Sequence, residues 1–122
     1  MRPARGGGHR HQHTDGRVEE IIPDLIEIGL NILNPVQPEC HDLPRLKARF
    51  SHLLTFHGAV SSRVLNKGTP EEITEEVKRR IRQLAPGGGY ILAPAHWVPY
   101  PPGNFEALKE AGKRFGRYPV KL

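Results

Sequence analysis

The chain has 122 residues, a formal net charge of +5, 25% charged and 37% hydrophobic residues. That length suits one domain and falls well short of the roughly 250 residues of a closed eight-stranded α/β barrel. No apolar run approaches the roughly 20 residues of a membrane span, so no membrane partner is expected. The excess charge is local: four arginines and one aspartate lie up to Arg17, leaving the rest near neutral. No basic patch with interleaved aromatics is present, which argues against nucleic acid. Cys40 is the only cysteine, so no intrachain disulfide can form. The N-terminus lacks the apolar stretch of a secretory signal, and a cytoplasmic setting is the expectation.

In chain order, residues 1–12 are rich in His, Arg and Gly and have no apolar period. Such a segment cannot bury a core and is expected to be a disordered tail ahead of a domain over 13–122. Val18, Ile22, Leu25, Ile26 and Ile28 follow helical spacing. Pro23 starts or kinks that helix, and Gly29 stops it. A strand at Ile32-Leu33 is expected to end at Pro35 and Pro38, which cannot donate to a ladder. Asp42 suits the cap of a helix that buries Leu43, Leu46 and Phe50.

A second strand is predicted over about Leu53 to Val60. Gly58 inside it points to a bulge or a close backbone approach. Thr69-Pro-Glu-Glu72 reads as a capping box with proline at the first helical position. Ile73, Val77, Ile81 and Leu84 then share one helix face. Pro86-Gly-Gly-Gly89 ends that helix, and a third strand follows at Tyr90 to Ala93. After a proline-rich loop, Asn104 is expected to cap a last helix carrying Phe105, Leu108, Ala111 and Phe115. Short apolar strands alternating with helices predict an α/β fold with a parallel sheet, whose ligands gather at the carboxyl ends of the strands.

The strand ends supply the candidates. His96 follows the third strand, where an imidazole could donate, accept or exchange a proton; it could equally cap the strand and pack on Trp97. His13 and Asp15 are two apart, so on an extended chain they face one side. They could ligate a metal, or the carboxylate could orient the ring, or the pair could belong to a His-rich tail. Asn34 and Gln37 could bind a polar ligand or satisfy a turn between prolines. Ser61 and Ser62 end the second strand without a histidine or carboxylate at motif distance, which makes a nucleophile reading weak. The Gly87–Gly89 run precedes a strand and lacks the Lys-Ser or Lys-Thr of a phosphate loop.

Taken together, His13-Thr-Asp-Gly16, Ile22-Pro-Asp-Leu-Ile-Glu-Ile-Gly29, Ile32-Leu-Asn-Pro-Val-Gln-Pro38, Gly68-Thr-Pro-Glu-Glu72 and Gly87-Gly-Gly-Tyr-Ile-Leu-Ala-Pro-Ala-His96 resemble the C-terminal part of the uroporphyrinogen decarboxylase superfamily. The resemblance runs from about His13 to Pro119. It implies the C-terminal portion of a (β/α)8 TIM-type barrel, with about three to four parallel strands and covering helices. It also implies cofactor-free decarboxylation of tetrapyrrole acetate side chains, with His96 as the catalytic residue; Asn34, Gln37 and Ser61, polar residues at the other strand ends, are the expected substrate contacts. A related branch, the methylcobamide:coenzyme M methyltransferases, uses zinc; in that alternative His13, Asp15 and His96 would be the metal ligands.

Two positions depart from these patterns. The decarboxylases have Gly-His-Gly where this chain has Ala95-His96-Trp97, and the methyltransferases have His-x-Cys where it has His13-Thr14-Asp15. The resemblance places the family's substrate-gripping aspartate and arginines in an N-terminal half that this sequence lacks. Exposed sheet edges are therefore expected, together with a homo-oligomer, a complementary barrel half or a truncated, non-catalytic product.

Overall fold

The computed structural model describes residues 8–122. Its strands are β1 (His11–His13), β2 (Ile32–Val36), β3 (Thr55–Val60) and β4 (Tyr90–Pro94). Its helices are α1 (Ile22–Glu27), α2 (Leu43–Phe50), α3 (Ser62–Lys67), α4 (Pro70–Leu84) and α5 (Pro102–Phe115). Single turns of 3₁₀ helix at Glu19–Ile21 and Pro38–Cys40 lead into α1 and α2. The four strands form one parallel sheet in the order β1-β2-β3-β4. With an order that never reverses, crossovers of the usual right hand set the connecting helices on one face. That is the winding of a TIM-type barrel, and four strands make a portion of one.

The two faces differ accordingly. Leu33, Phe56, Tyr90 and Leu92 point into the helix layer, where one core gathers Ile22, Leu46 and Phe50 and a second gathers Leu65, Ile73, Val77, Ile81 and Leu108. The opposite face carries His11 and His57, whose rings lie 5.2 Å apart between centroids, with half-exposed Ile91 beside His57 in the β4 register.

Local signals explain most boundaries. Asp42 accepts from the Arg45 amide and caps α2. Thr69 and Glu72 close the capping box of α4 reciprocally, with Pro70 at its start. Gly29, at φ +106°, lets the chain turn back after α1, and the Leu30 amide donates to the Leu25 carbonyl. Lys47 reaches from α2 to donate to the carbonyls of Leu84 and Gly88, both at 2.6 Å, so a cation closes the carboxyl end of α4. Gly58 meets its expectation: its φ is +117°, and a Cβ there would stand 3.1 Å from the Val36 amide nitrogen, where the β2–β3 register shifts.

Three expectations need correction, and one helix is additional to them. The tail was expected to run through Gln12, yet the Arg10 carbonyl accepts from the Asn31 and Ile32 amides, and His11 and Gln12 belong to β1. Backbone pairing with β2 orders a segment whose side chains bury little; residues 1–7 lie outside the described residues. Pro35 does not end β2, which runs on to Val36 with its register against β3 shifted between Leu33 and Val36. Helix α3 was unforeseen; Ser61 caps it, accepting from the Val64 amide. Asn104 does not cap α5, which begins at Pro102. Its amide donates instead to the Leu65 and Gly68 carbonyls, tying α5 to the end of α3.

Candidate active site

The site forms where the loops after β1 and β4 meet above the carboxyl ends of the strands. Three strand spacings of about 4.8 Å put β1 and β4 roughly 14 Å apart in the sheet. The loops close that gap: Asp15 Oδ1 stands 3.9 Å from His13 Nε2 and 4.0 Å from His96 Nε2. Of the candidates, these three converge.

Neighbouring strand ends hold the β1 side. His13 Nδ1 lies 2.9 Å from Asn34 Oδ1. An amide oxygen only accepts, so His13 carries a proton on Nδ1 and turns Nε2 toward Asp15. Asn34 is itself buried and donates to the His57 carbonyl. The Thr14 amide donates to the Asn34 carbonyl at 2.6 Å, and the Gly16 amide donates to Gln37 Oε1 at 2.7 Å. Asn34 and Gln37 thus shape the loop that presents Asp15, with both polar side-chain atoms of Asn34 and Oε1 of Gln37 engaged.

On the other side, β4 and α3 position His96. Its Nδ1 lies 2.9 Å from Ser62 Oγ, and the Tyr100 hydroxyl lies 2.9 Å from the same oxygen and 2.7 Å from the His96 carbonyl. The histidine that Ser62 lacks in sequence reaches it across 34 residues. Trp97 is exposed and leaves the ring free.

Ser61 has a different place from the one expected of a ligand contact. It is buried, its hydroxyl donates to Glu39 Oε2 at 2.6 Å, and its amide donates to Glu76 Oε2 at 2.9 Å. Glu76 is 4% exposed and held by Arg80, through Nε at 2.8 Å and Nη2 at 3.2 Å. Buried Ser61 and Glu76, with partly buried Arg80, form a brace at the carboxyl end of β3, and exposed Glu39 binds its outer side. Sequence reasoning missed that brace, because an i,i+4 Glu–Arg pair reads as solvated helix surface.

Chemically, two imidazole nitrogens and a carboxylate oxygen face one another, so a proton on either Nε2 lies beside a counter-charge. The cluster is open: the His13, Asp15 and His96 side chains are 61%, 59% and 35% exposed. Among the described residues, no group of three or more His, Cys, Asp or Glu side chains is arranged to hold a metal ion. The physical reason at this cluster is spacing. Ligands about 2.0–2.1 Å from a tetrahedral zinc stand about 3.3 Å apart, against 3.9 and 4.0 Å here. Among the same residues, no helix is long and apolar enough to cross a membrane.

The fold is a portion of a TIM-type barrel, with His13, Asp15 and His96 brought together at its strand ends. The family model described as uroporphyrinogen decarboxylase (URO-D) matches residues 5–115, and the chain belongs to that family. No curated protein matches it.

Proposed function

We propose that this chain supplies the acid–base part of a decarboxylase site acting on the acetate side chains of a tetrapyrrole, as in porphyrin biosynthesis. One observation carries the reading: Asp15 Oδ1 stands within 4.0 Å of Nε2 of both His13 and His96. Protonated His96 gives its Nε2 proton to a ring carbon of the pyrrole. The acetate C–C bond then breaks, carbon dioxide leaves, and the bonding pair moves toward the ring to give an exocyclic methylene; the methylene takes up a proton and becomes methyl, and the ring carbon returns its proton to His96 Nε2, restoring the pyrrole. A positioned acid is what this chemistry requires, and such a group contributes about 10²–10⁴-fold. Asp15 stabilises the imidazolium and His13 flanks it. No cofactor enters these steps.

The exposure of Asp15 and the open edges at β1 and β4 fit a site completed by further strands, from a complementary barrel half or a second copy of this chain. A tetrapyrrole polycarboxylate would then lie across the strand ends with its acetates toward His96.

The test is anaerobic release of carbon dioxide from uroporphyrinogen. Turnover that drops about 10²–10⁴-fold in His96→Gln supports the reading. Turnover unchanged by that substitution sinks the role of His96.

A second reading, segment of a zinc- and corrinoid-linked methyltransferase, draws on the same three side chains. It would use zinc to activate a thiol, with His13, Asp15 and His96 as the holders. Their present separations do not fit that ion, and no step is derived through it. Stoichiometric zinc that is lost in both His13→Ala and His96→Ala would favour this reading over the first.

A further inference from the structure

The contacts around His96 leave little freedom in where its protons sit. Three short contacts link three groups: His96 Nδ1 to Ser62 Oγ at 2.9 Å, Ser62 Oγ to Tyr100 Oη at 2.9 Å, and Tyr100 Oη to the His96 carbonyl at 2.7 Å. Each hydroxyl has one proton to give, and the carbonyl has none. The carbonyl contact therefore takes the Tyr100 proton. With that proton spent, the contact between the two hydroxyls must take the proton of Ser62. The remaining contact needs a proton from His96 itself, so Nδ1 is the donor. Run in the opposite direction, the ring would leave Tyr100 Oη facing a carbonyl oxygen at 2.7 Å with no proton between them.

We propose that Ser62 and Tyr100 are positioning residues that fix the proton of neutral His96 on Nδ1, leaving Nε2 as the nitrogen that exchanges protons at the site. A free imidazole side chain in water favours the proton on Nε2, so the fold selects the less common tautomer. Selection matters because Nε2 is the atom 4.0 Å from Asp15. A proton entering or leaving there acts at the mouth of the strands, whereas one on Nδ1 would be shut in by α3 and the Tyr100 loop. His13 has the same tautomer through Asn34, so the two rings present matching nitrogens to one carboxylate. The assignment deepens the acid–base reading above and rests on it for its catalytic meaning.

The experiment is long-range ¹H–¹⁵N correlation on the full chain labelled at histidine nitrogens, at a pH where His96 is neutral. In the unsubstituted protein, Nε2 of His96 should give the unprotonated-nitrogen signal and Nδ1 the protonated one. In Ser62→Ala and in Tyr100→Phe, the unprotonated signal should move to Nδ1. Ser62→Thr keeps the hydroxyl and should keep the original pattern. The His13 signals, held by Asn34, should stay in place throughout and so report that each variant is folded. An unprotonated Nδ1 in the unsubstituted protein overturns the proposal, and that measurement needs no variant to fold. A pattern unmoved in both Ser62→Ala and Tyr100→Phe overturns it as well. Carbon dioxide release separates the two ideas: the expected tautomer without turnover upholds this assignment and rejects the decarboxylase reading. The opposite tautomer, with turnover lost in His96→Gln, does the reverse.

Discussion

The two loops that meet at the candidate site come from regions built very differently. The β4 side rests on a well-buried core. Helix α4 has its full capping box, Ile73, Val77 and Ile81 are sealed in the core, and Glu76 and Arg80 brace the turn at Ser61 from below. The β1 side is a three-residue strand with every residue exposed, held mainly by backbone pairing and by Asn34 and Gln37. His96 therefore sits on a rigid platform, while His13 and Asp15 sit on a segment that can open at small cost. Local stability of this kind is uneven by construction, and residues brought in on weakly held elements are those whose position a neighbour or ligand can set.

The largest expected effect breaks the strong side. Glu76→Ala leaves Arg80 without its carboxylate and the Ser61 amide without its acceptor. Breaking a buried pair this way costs about 3–5 kcal/mol, read as a lower midpoint in urea denaturation. A midpoint near that of the unsubstituted protein would mean the brace is not what holds this side.

Tyr90→Phe comes next. The Tyr90 hydroxyl donates to the Gly58 carbonyl at 2.6 Å, and burial drives its ionisation well above the ordinary phenol range. Removing it strands a buried acceptor at about 1–3 kcal/mol, on the same denaturation scale.

Gln37→Ala probes the weak side. It removes the bond to the Gly16 amide, worth about 0.5–1.5 kcal/mol. Hydrogen exchange should accelerate over residues 13–17 and stay unchanged in β4. Faster exchange in both places would show that the two sides open together, contrary to the contrast drawn here.

Acid should have the smallest effect. Burial holds the imidazoles of His41 and His57 below the ordinary histidine range; the charge of His11 adds to this at His57. His41 Nε2 also accepts from the Val18 amide, a bond that protonation removes. With folded values lowered, both groups contribute fully above about pH 6.5, and the contribution is lost as pH falls through the folded values. The melting temperature should therefore fall between pH 7.5 and pH 5, and less steeply in His57→Gln. An equal slope in that variant would remove His57 from the account.

Much of this was legible in the residues because it depends on local chemistry. The capping box at Thr69, the Asp42 cap, the stop at Gly29 and the close approach at Gly58 each follow from side chains within a few positions. Where the determining partner is far along the chain, reading failed: α3, the continuation of β2 through Pro35, and the attachment of Asn104 to the end of α3 all depend on neighbours that only packing supplies. The site divides the same way. His96, His13 and Asp15 stand out as strand-end residues able to move a proton. Ser62 and Tyr100 do not, although both lie at or near strand ends, because nothing local distinguishes Ser62 from Ser61 or Tyr100 from its flanking prolines.

By itself, the sequence determined an alternating parallel α/β chain of the uroporphyrinogen decarboxylase family. The reason is that strand and helix periods, caps and turn residues act over a few residues. Only the tertiary structure decided which strand-end groups share a site, since the loops after β1 and β4 meet across the breadth of the sheet. It also showed that Asn34, Gln37 and Ser61 hydrogen-bond within the chain around these strand ends. Finally, it placed Nε2 of His96 toward Asp15 and Nδ1 toward Ser62, because the ring's orientation depends on partners far along the chain.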